Sequence, residues 1–198
     1  MRIGVFGGTF DPPHLGHMIL AAEACDQLRL DKVLWVLTAL PPHKRVQVIL
    51  PVEARLALLK AALEKAERFE ISRVDIDRPG PHYALDTVRL LKKQYPDDDI
   101  VYLLGGDSLR DLPIWYESRK FVKECSGLGV MRRPGDEIDF EFVMQAIPGV
   151  GEKIAFIDAP LLEISSREIR ERIARGGTFR YYLLEAVYEI IQKKGYYR

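Results

Sequence analysis

The chain has 198 residues, 47% of them hydrophobic and 29% charged, a length and balance that predict one globular domain able to bury a real core. Twenty-nine Lys and Arg cancel 29 Asp and Glu, so no general positive field exists to hold a nucleic-acid backbone or an anionic membrane, and neither is expected as a partner. Cys25 and Cys125 have neither CxxC spacing nor clustered histidines, which argues against a disulfide framework or a structural zinc and fits a reducing cytoplasm; no apolar run has the shape of a signal peptide or the length to cross a bilayer.

Short Val/Ile/Leu-rich runs alternate with amphipathic stretches, predicting an α/β fold, a doubly wound and mostly parallel sheet of five or six strands with helices on both faces. In chain order the pattern predicts a strand over 2–6, a helix over 14–28, a strand over 32–37, a helix over 52–68, a strand over 69–74 and a helix over 84–95. A strand over 100–104, a helix over 115–124, strands over 128–132 and 154–157, and helices over 166–175 and 183–194 follow, with Gly195 as a stop signal. No repeat or linker interrupts this, so residues 1–198 read as a single domain closed by the helices from about 166 onward. The proline-rich segments at 40–44 and 78–82 follow strands, where open α/β sheets place ligand-binding loops.

The first strand runs into Gly7-Gly8-Thr9-Phe10-Asp11-Pro12-Pro13-His14-Leu15-Gly16-His17. Paired glycines let the backbone approach a ligand, Asp11 and the prolines set up a helix start, and the amides of a helix's first turn attract anions. His14 and His17 fall on one side of that turn, with Gly16 opening room between them. A Gly-Gly turn or a lone surface histidine is as well explained by structure as by function, but the combination makes a candidate phosphate site.

These eleven residues resemble the signature of the H-x-G-H nucleotidyltransferase superfamily, and the long form resembles that of bacterial nicotinate-nucleotide adenylyltransferases. The resemblance implies a Rossmann-like fold and transfer of the adenylyl group of ATP to nicotinate mononucleotide, giving nicotinate adenine dinucleotide and pyrophosphate in NAD biosynthesis. It implies Mg2+ accompanying ATP, without a protein metal site. His14 and His17 would be the catalytic donors at the α-phosphate, with Gly7, Gly8, Thr9, Phe10 and His17 on ATP.

Further along, 163–170 reads as a helix start with Ser165 and Glu168 at capping-box spacing and Arg170 within reach of phosphates gathered there. This segment resembles the family's I-S-S-T-x-I-R motif, which implies Ile164, Ser165, Ser166 and Arg170 as ATP contacts, Arg167 replacing the usual threonine and adding positive charge near the leaving pyrophosphate. Gly105-Gly106-Asp107 puts a carboxylate at a strand end, where helix capping and a ribose contact are equally open readings. Resemblance to the family's G-x-D implies the second, for Gly105 and Asp107.

Trp115, in Leu112-Pro113-Ile114-Trp115-Tyr116, reads as core or as a stacking face. Likeness to L-P-x-W implies that it stacks on the pyridine ring and that Tyr116 lends its amide to the nicotinate carboxylate. The 82–87 segment resembles a diverged S-Y-T-x-D-T motif with Tyr83, Asp86 and Thr87 kept, Thr87 as a backbone contact to the same carboxylate; His82 itself reads as a solvated loop histidine. Pro42-His43-Lys44 resembles the P-H-K loop, in which Lys44 would neutralise phosphate. Adenylyl transfer to phosphopantetheine and a binding module without turnover are the rival readings; Trp115 and Thr87 argue against the first, and the completeness of the motifs against the second. ATP and nicotinate mononucleotide are the expected partners, and a homo-oligomer is left open.

Overall fold

Each apolar strand of this chain presents two faces, and the alternation of its side chains decides which helices cover which. The computed structural model describes residues 1–39, 49–131, 138–160 and 163–198. Among these, β1 (Arg2–Gly8), β2 (Lys32–Leu37), β3 (Phe69–Ser72), β4 (Asp99–Gly105), β5 (Gly127–Met131) and β6 (Ile154–Ile157) form one sheet in the order β3-β2-β1-β4-β5-β6, every pairing parallel. The helices are α1 (Leu15–Gln27), α2 (Val52–Leu63), α3 (Ala84–Gln94), α4 (Gly106–Asp111), α5 (Ser118–Glu124), α6 (Phe140–Ala146), α7 (Ser166–Ala174) and α8 (Glu185–Lys194).

Phe6, Val33, Trp35, Leu37, Val101 and Leu103 point to one face and pack against buried residues of α1, α2, α7 and α8. Their neighbours Ile3, Val5, Leu34, Val36, Ile100, Tyr102 and Leu104 point to the other, under α3, α4, α5 and α6. The period of two thus makes two cores, which is what a doubly wound sheet requires. The strand order reverses between β1 and β4, so the loops leaving their carboxyl ends diverge and open a crevice there.

The sheet is parallel throughout, where a mostly parallel one is expected from sequence. Several predicted elements are shorter than the pattern suggests. The helix from Val52 stops at Leu63 because its buried stripe ends there and Glu64, Lys65 and Glu67 are exposed. The edge strand β3 stops at Ser72, the last residue paired with β2, after which Asp77 N–H donates to Arg73 O in a turn. The helix predicted from Trp115 begins at Ser118: Glu117 sits at φ 49, outside helical space, after a 3-10 turn at Leu112–Ile114. The predicted strand residue 132 lies outside the described residues. Gly195 ends α8 at φ 64, the left-handed cap anticipated from sequence. Among the described residues no helix is long and apolar enough to cross a membrane.

Candidate active site

At the end of β1 the two glycines leave space that other side chains fill. A Cβ on Gly7 would lie 2.6 Å from the Tyr102 hydroxyl, and one on Gly8 2.9 Å from the Phe10 ring. Phe10 holds a left-handed φ of 46, costly for an aromatic residue, and is fixed by near-complete burial and ring contacts to Phe6, Trp35 and His17 at centroid distances of 5.5, 5.0 and 5.2 Å. The chain then turns through Asp11–Pro12, a cis peptide bond, into α1, whose N-cap is His14. His14 and His17 stack with ring centroids 3.6 Å apart, and the His14 amide donates to His17 Nδ1 at 3.2 Å. Since Nδ1 accepts, a neutral His17 ring carries its proton on Nε2 and is a donor there. Gly16 permits this packing: a Cβ would sit 3.1 Å from His14 Nδ1 and 3.8 Å from Ile164 Cβ.

Ile164 belongs to the segment entering α7, and that segment is knit to the β1 loop. Ser166 Oγ donates to the Pro12 carbonyl at 2.8 Å, and Arg170 Nη1 to the Asp11 carbonyl at 2.7 Å. Ser165 completes the expected capping box, accepting from the Glu168 amide at 3.2 Å while Glu168 Oε2 accepts from the Ser165 amide at 3.2 Å. Both serine hydroxyls therefore shape the motif, and the Arg170 guanidinium keeps donors beyond Nη1. Arg167 is paired with Glu171 on the exposed side of α7, at 2.9 Å.

Beside β1, β4 ends in Gly105, where a Cβ would lie 2.7 Å from Asp107 Oδ1. Gly105, not Asp107, is the N-cap of α4, and exposed Asp107 accepts from the Ser108 amide at 2.9 Å. Trp115 is half-buried, its ring set against Tyr102 at 6.4 Å and Phe121 at 5.6 Å. Tyr102 thereby joins the two halves of the crevice, hydroxyl under Gly7 and ring against Trp115; burial raises its pKa above the ordinary phenol value, so the hydroxyl stays protonated. Exposed Tyr116 stacks on Tyr83 with centroids 4.2 Å apart. Asp86 lies in the first turn of α3, and the Thr87 amide donates to the Tyr83 carbonyl at 3.1 Å as part of that helix. Lys44 and the rest of 40–48 lie outside the described residues.

A profile described as cytidylyltransferase-like matches residues 5–172. A Thermomicrobium roseum protein named "Probable nicotinate-nucleotide adenylyltransferase" is 42% identical over 197 residues, spanning 100% of this chain and 92% of its own length. One of the same name from Thermus thermophilus is 39% identical over 198 residues, 100% of both chains. The chain belongs to the nicotinate-nucleotide adenylyltransferase family. The fold agrees: Plasmodium falciparum nicotinic acid mononucleotide adenylyltransferase complexed with NaAD superposes with a TM-score of 0.80 at 20% identity, covering 99% of this chain and 97% of that one.

Two supports of this site carry no motif of the adenylyltransferase family as read from the sequence. Arg55, 1% exposed, donates to the carbonyls of Thr9, Thr38, Ala39 and Leu50 at 2.8 to 3.0 Å, fastening the β1 loop to the end of β2 and the start of α2. The signal for it was an arginine sharing a helical stripe with Leu58, Leu59 and Ala62. Buried Asp75 accepts from Arg78 at 2.9 Å and from the Thr87 hydroxyl at 2.7 Å, and Arg78 also donates to the Pro81 carbonyl at 3.1 Å, so the 78–83 loop is clamped from below. His82 is a correction: it is 6% exposed, with Nε2 3.2 Å from the Arg78 carbonyl, a loop bolt rather than a solvated side chain.

Proposed function

We propose that this enzyme transfers the adenylyl group of ATP to nicotinate mononucleotide, releasing pyrophosphate and forming nicotinate adenine dinucleotide. The observation that carries the reading is the joining, at the β1/β4 switch point, of the stacked His14–His17 pair to Arg170 through the Asp11 and Pro12 carbonyls. Two potential phosphate grips, bonded to each other across 154 and 159 residues of sequence, become one surface.

The attacking atom is a phosphate oxygen of nicotinate mononucleotide, ionised at neutral pH, so no general base is needed. Catalysis is then positioning and charge stabilisation. His17 Nε2 and His14 supply donors at the α-phosphate, where negative charge builds, and Gly7, Gly8, Thr9 and Phe10 shape the floor beneath it. Arg170 and the first-turn amides of α7, with Ile164, Ser165 and Ser166, receive the β- and γ-phosphates. Gly105 brings Asp107 to the ribose hydroxyls. Trp115 offers a ring to the pyridine, and Tyr83, Asp86, Thr87 and Tyr116 line that end, with Lys44 as a further phosphate contact.

Among the described residues no group of three or more His, Cys, Asp or Glu is gathered as a metal cage. Mg2+ would arrive on ATP, since this ion takes most of its ligands from phosphates and water. When bound it neutralises charge on the phosphate oxygens.

The test is pyrophosphate release from ATP and magnesium with nicotinate mononucleotide, nicotinamide mononucleotide and phosphopantetheine offered in parallel. Strong preference for the nicotinate form is expected. Turnover with phosphopantetheine alone would remove Trp115 and Thr87 from substrate binding, and silence with all three would leave only nucleotide binding.

A further inference from the structure

Asp11 lies between the two phosphate grips yet has no role in the proposed chemistry. Its side chain is 2% exposed, and its two oxygens are treated differently. Oδ1 accepts from the Tyr197 hydroxyl at 2.7 Å. Oδ2 is buried with no hydrogen-bond donor among the described residues, and the nearest cation is Arg170 Nη1, 3.9 Å away. A buried carboxylate so close to a guanidinium ordinarily closes on it in a short, often bidentate pair. Here it does not: Arg170 Nη1 donates instead to the Asp11 main-chain carbonyl, and its Nε and Nη2 bond to nothing among the described residues.

Tyr197 is what differs from that ordinary outcome. It follows the left-handed Gly195 cap of α8 and itself takes a left-handed φ of 67, a conformation unfavourable for tyrosine that places its ring among the partly buried residues packed on the first core. Turning the Asp11 carboxylate toward Arg170 would break the hydroxyl bond to Oδ1. Burial, with Asp11 beside it, raises the Tyr197 pKa, so the hydroxyl remains a donor throughout the working pH range.

We infer that Tyr197 and Asp11 are positioning residues for ATP: by holding Asp11 Oδ1, Tyr197 keeps the carboxylate from capturing Arg170 and leaves that guanidinium available to the phosphates. The inference rests on the proposed role of Arg170. Without the hydroxyl, Asp11 closes on Arg170, the guanidinium is neutralised, and the nucleotide must compete for it. The pyridine end, tied together by Asp75, Arg78 and Tyr116, is untouched by this exchange.

The experiment is steady-state kinetics on the full chain with Tyr197→Phe, Asp11→Asn, Arg170→Lys and the Tyr197→Phe/Asp11→Asn pair, alongside ATP binding by calorimetry. Tyr197→Phe is expected to raise KM for ATP about tenfold, in proportion to one hydrogen bond to a charged group, while KM for nicotinate mononucleotide stays within about twofold. In the Asp11→Asn background, where the neutral amide no longer attracts the guanidinium, the same change should have almost no further effect on ATP. Additive effects in the pair, equal rises in both KM values, or a loss of thermal stability with ATP affinity intact would each overturn the inference. If Arg170→Lys leaves ATP affinity unchanged, the phosphate role of Arg170 falls and this inference with it; if Arg170→Lys weakens ATP and Tyr197→Phe does not, the inference alone fails.

Discussion

Replacing Arg55 by Met tests whether the site loop is held from behind. Arg55 is 1% exposed, and its guanidinium makes four bonds to main-chain oxygens, to Leu50 at 2.9 Å, Thr9 at 3.0 Å, Thr38 at 2.8 Å and Ala39 at 3.0 Å. Desolvation lowers its pKa from the ordinary arginine value, with the charge on Asp11 opposing that, so the group is a buried cation satisfied by carbonyls. Hydrogen bonds to a charged group contribute about 1.5–3 kcal/mol each, and the desolvation that offsets them amounts to several kcal/mol per ion. Methionine fills much of the volume, relieves the buried charge and abandons four carbonyls, a net destabilisation of about 3–5 kcal/mol. For a chain of this length that is a drop in Tm on the order of 10 °C. Because Thr9 precedes the left-handed Phe10, whose ring meets His17, turnover at a temperature where the variant is fully folded should fall as well. Urea midpoints with unchanged slope, read beside kcat, make the assay. Arg55→Lys retains the charge but not the planar fork, and should recover only part of the loss. A methionine variant within about 0.5 kcal/mol of the parent and equally active would refute the reasoning, since surface-like tolerance is incompatible with a four-bond buried clamp.

His17→Ala should lower kcat about a hundredfold, near 3 kcal/mol, with the fold retained by circular dichroism, as for loss of one preorganised donor; near-full turnover would remove His17 from the α-phosphate. Trp115→Ala is expected to raise KM for the pyridine nucleotide more than KM for ATP, and equal changes would return the ring to a purely packing role against Tyr102 and Phe121. Burial pushes the Cys125 thiol up to about 12 and raises that of Cys25, so neither should react with iodoacetamide at pH 8 until the chain unfolds. The same shift fixes a sign: above about pH 8.5 the unfolded chain loses thiol protons that the folded one keeps, so stability should fall as pH rises from there toward 12. A melting temperature flat across that range would contradict the thiol burial.

The parallel sheet was legible because its strands are short Val/Ile/Leu runs between amphipathic stretches, and Ile154–Ile157 emerges with the bounds anticipated. Gly106–Asp111 and Phe140–Ala146 were not, because six and seven residues give too few turns for a periodicity to register. The helix expected from Trp115 starts only at Ser118 for a local reason invisible in composition, the left-handed Glu117. In the site, the histidine pair and the capping box follow from spacing alone. Arg55 and Tyr197 do not, since their partners are main-chain carbonyls or a side chain far along the sequence, and Tyr197 lies 186 residues from the carboxylate that it holds.

Those unread residues explain why the motif residues are so numerous. Ser166 serves the Pro12 carbonyl, Ser165 caps α7, the Thr87 hydroxyl serves Asp75, and Gly7 and Gly8 make way for Tyr102 and Phe10. Most of the polar and small positions that look like ligand contacts are thus occupied with holding backbone in place, and what they hold is a surface of amides, the His17 Nε2 donor and one guanidinium. A transfer that needs no general base asks for fixed donors at the points where charge develops, and fixed donors need supports whose own hydrogen bonds are already satisfied. The eleven-residue run from Gly7 to His17 is therefore long because it encodes its own scaffolding together with the two stacked histidines.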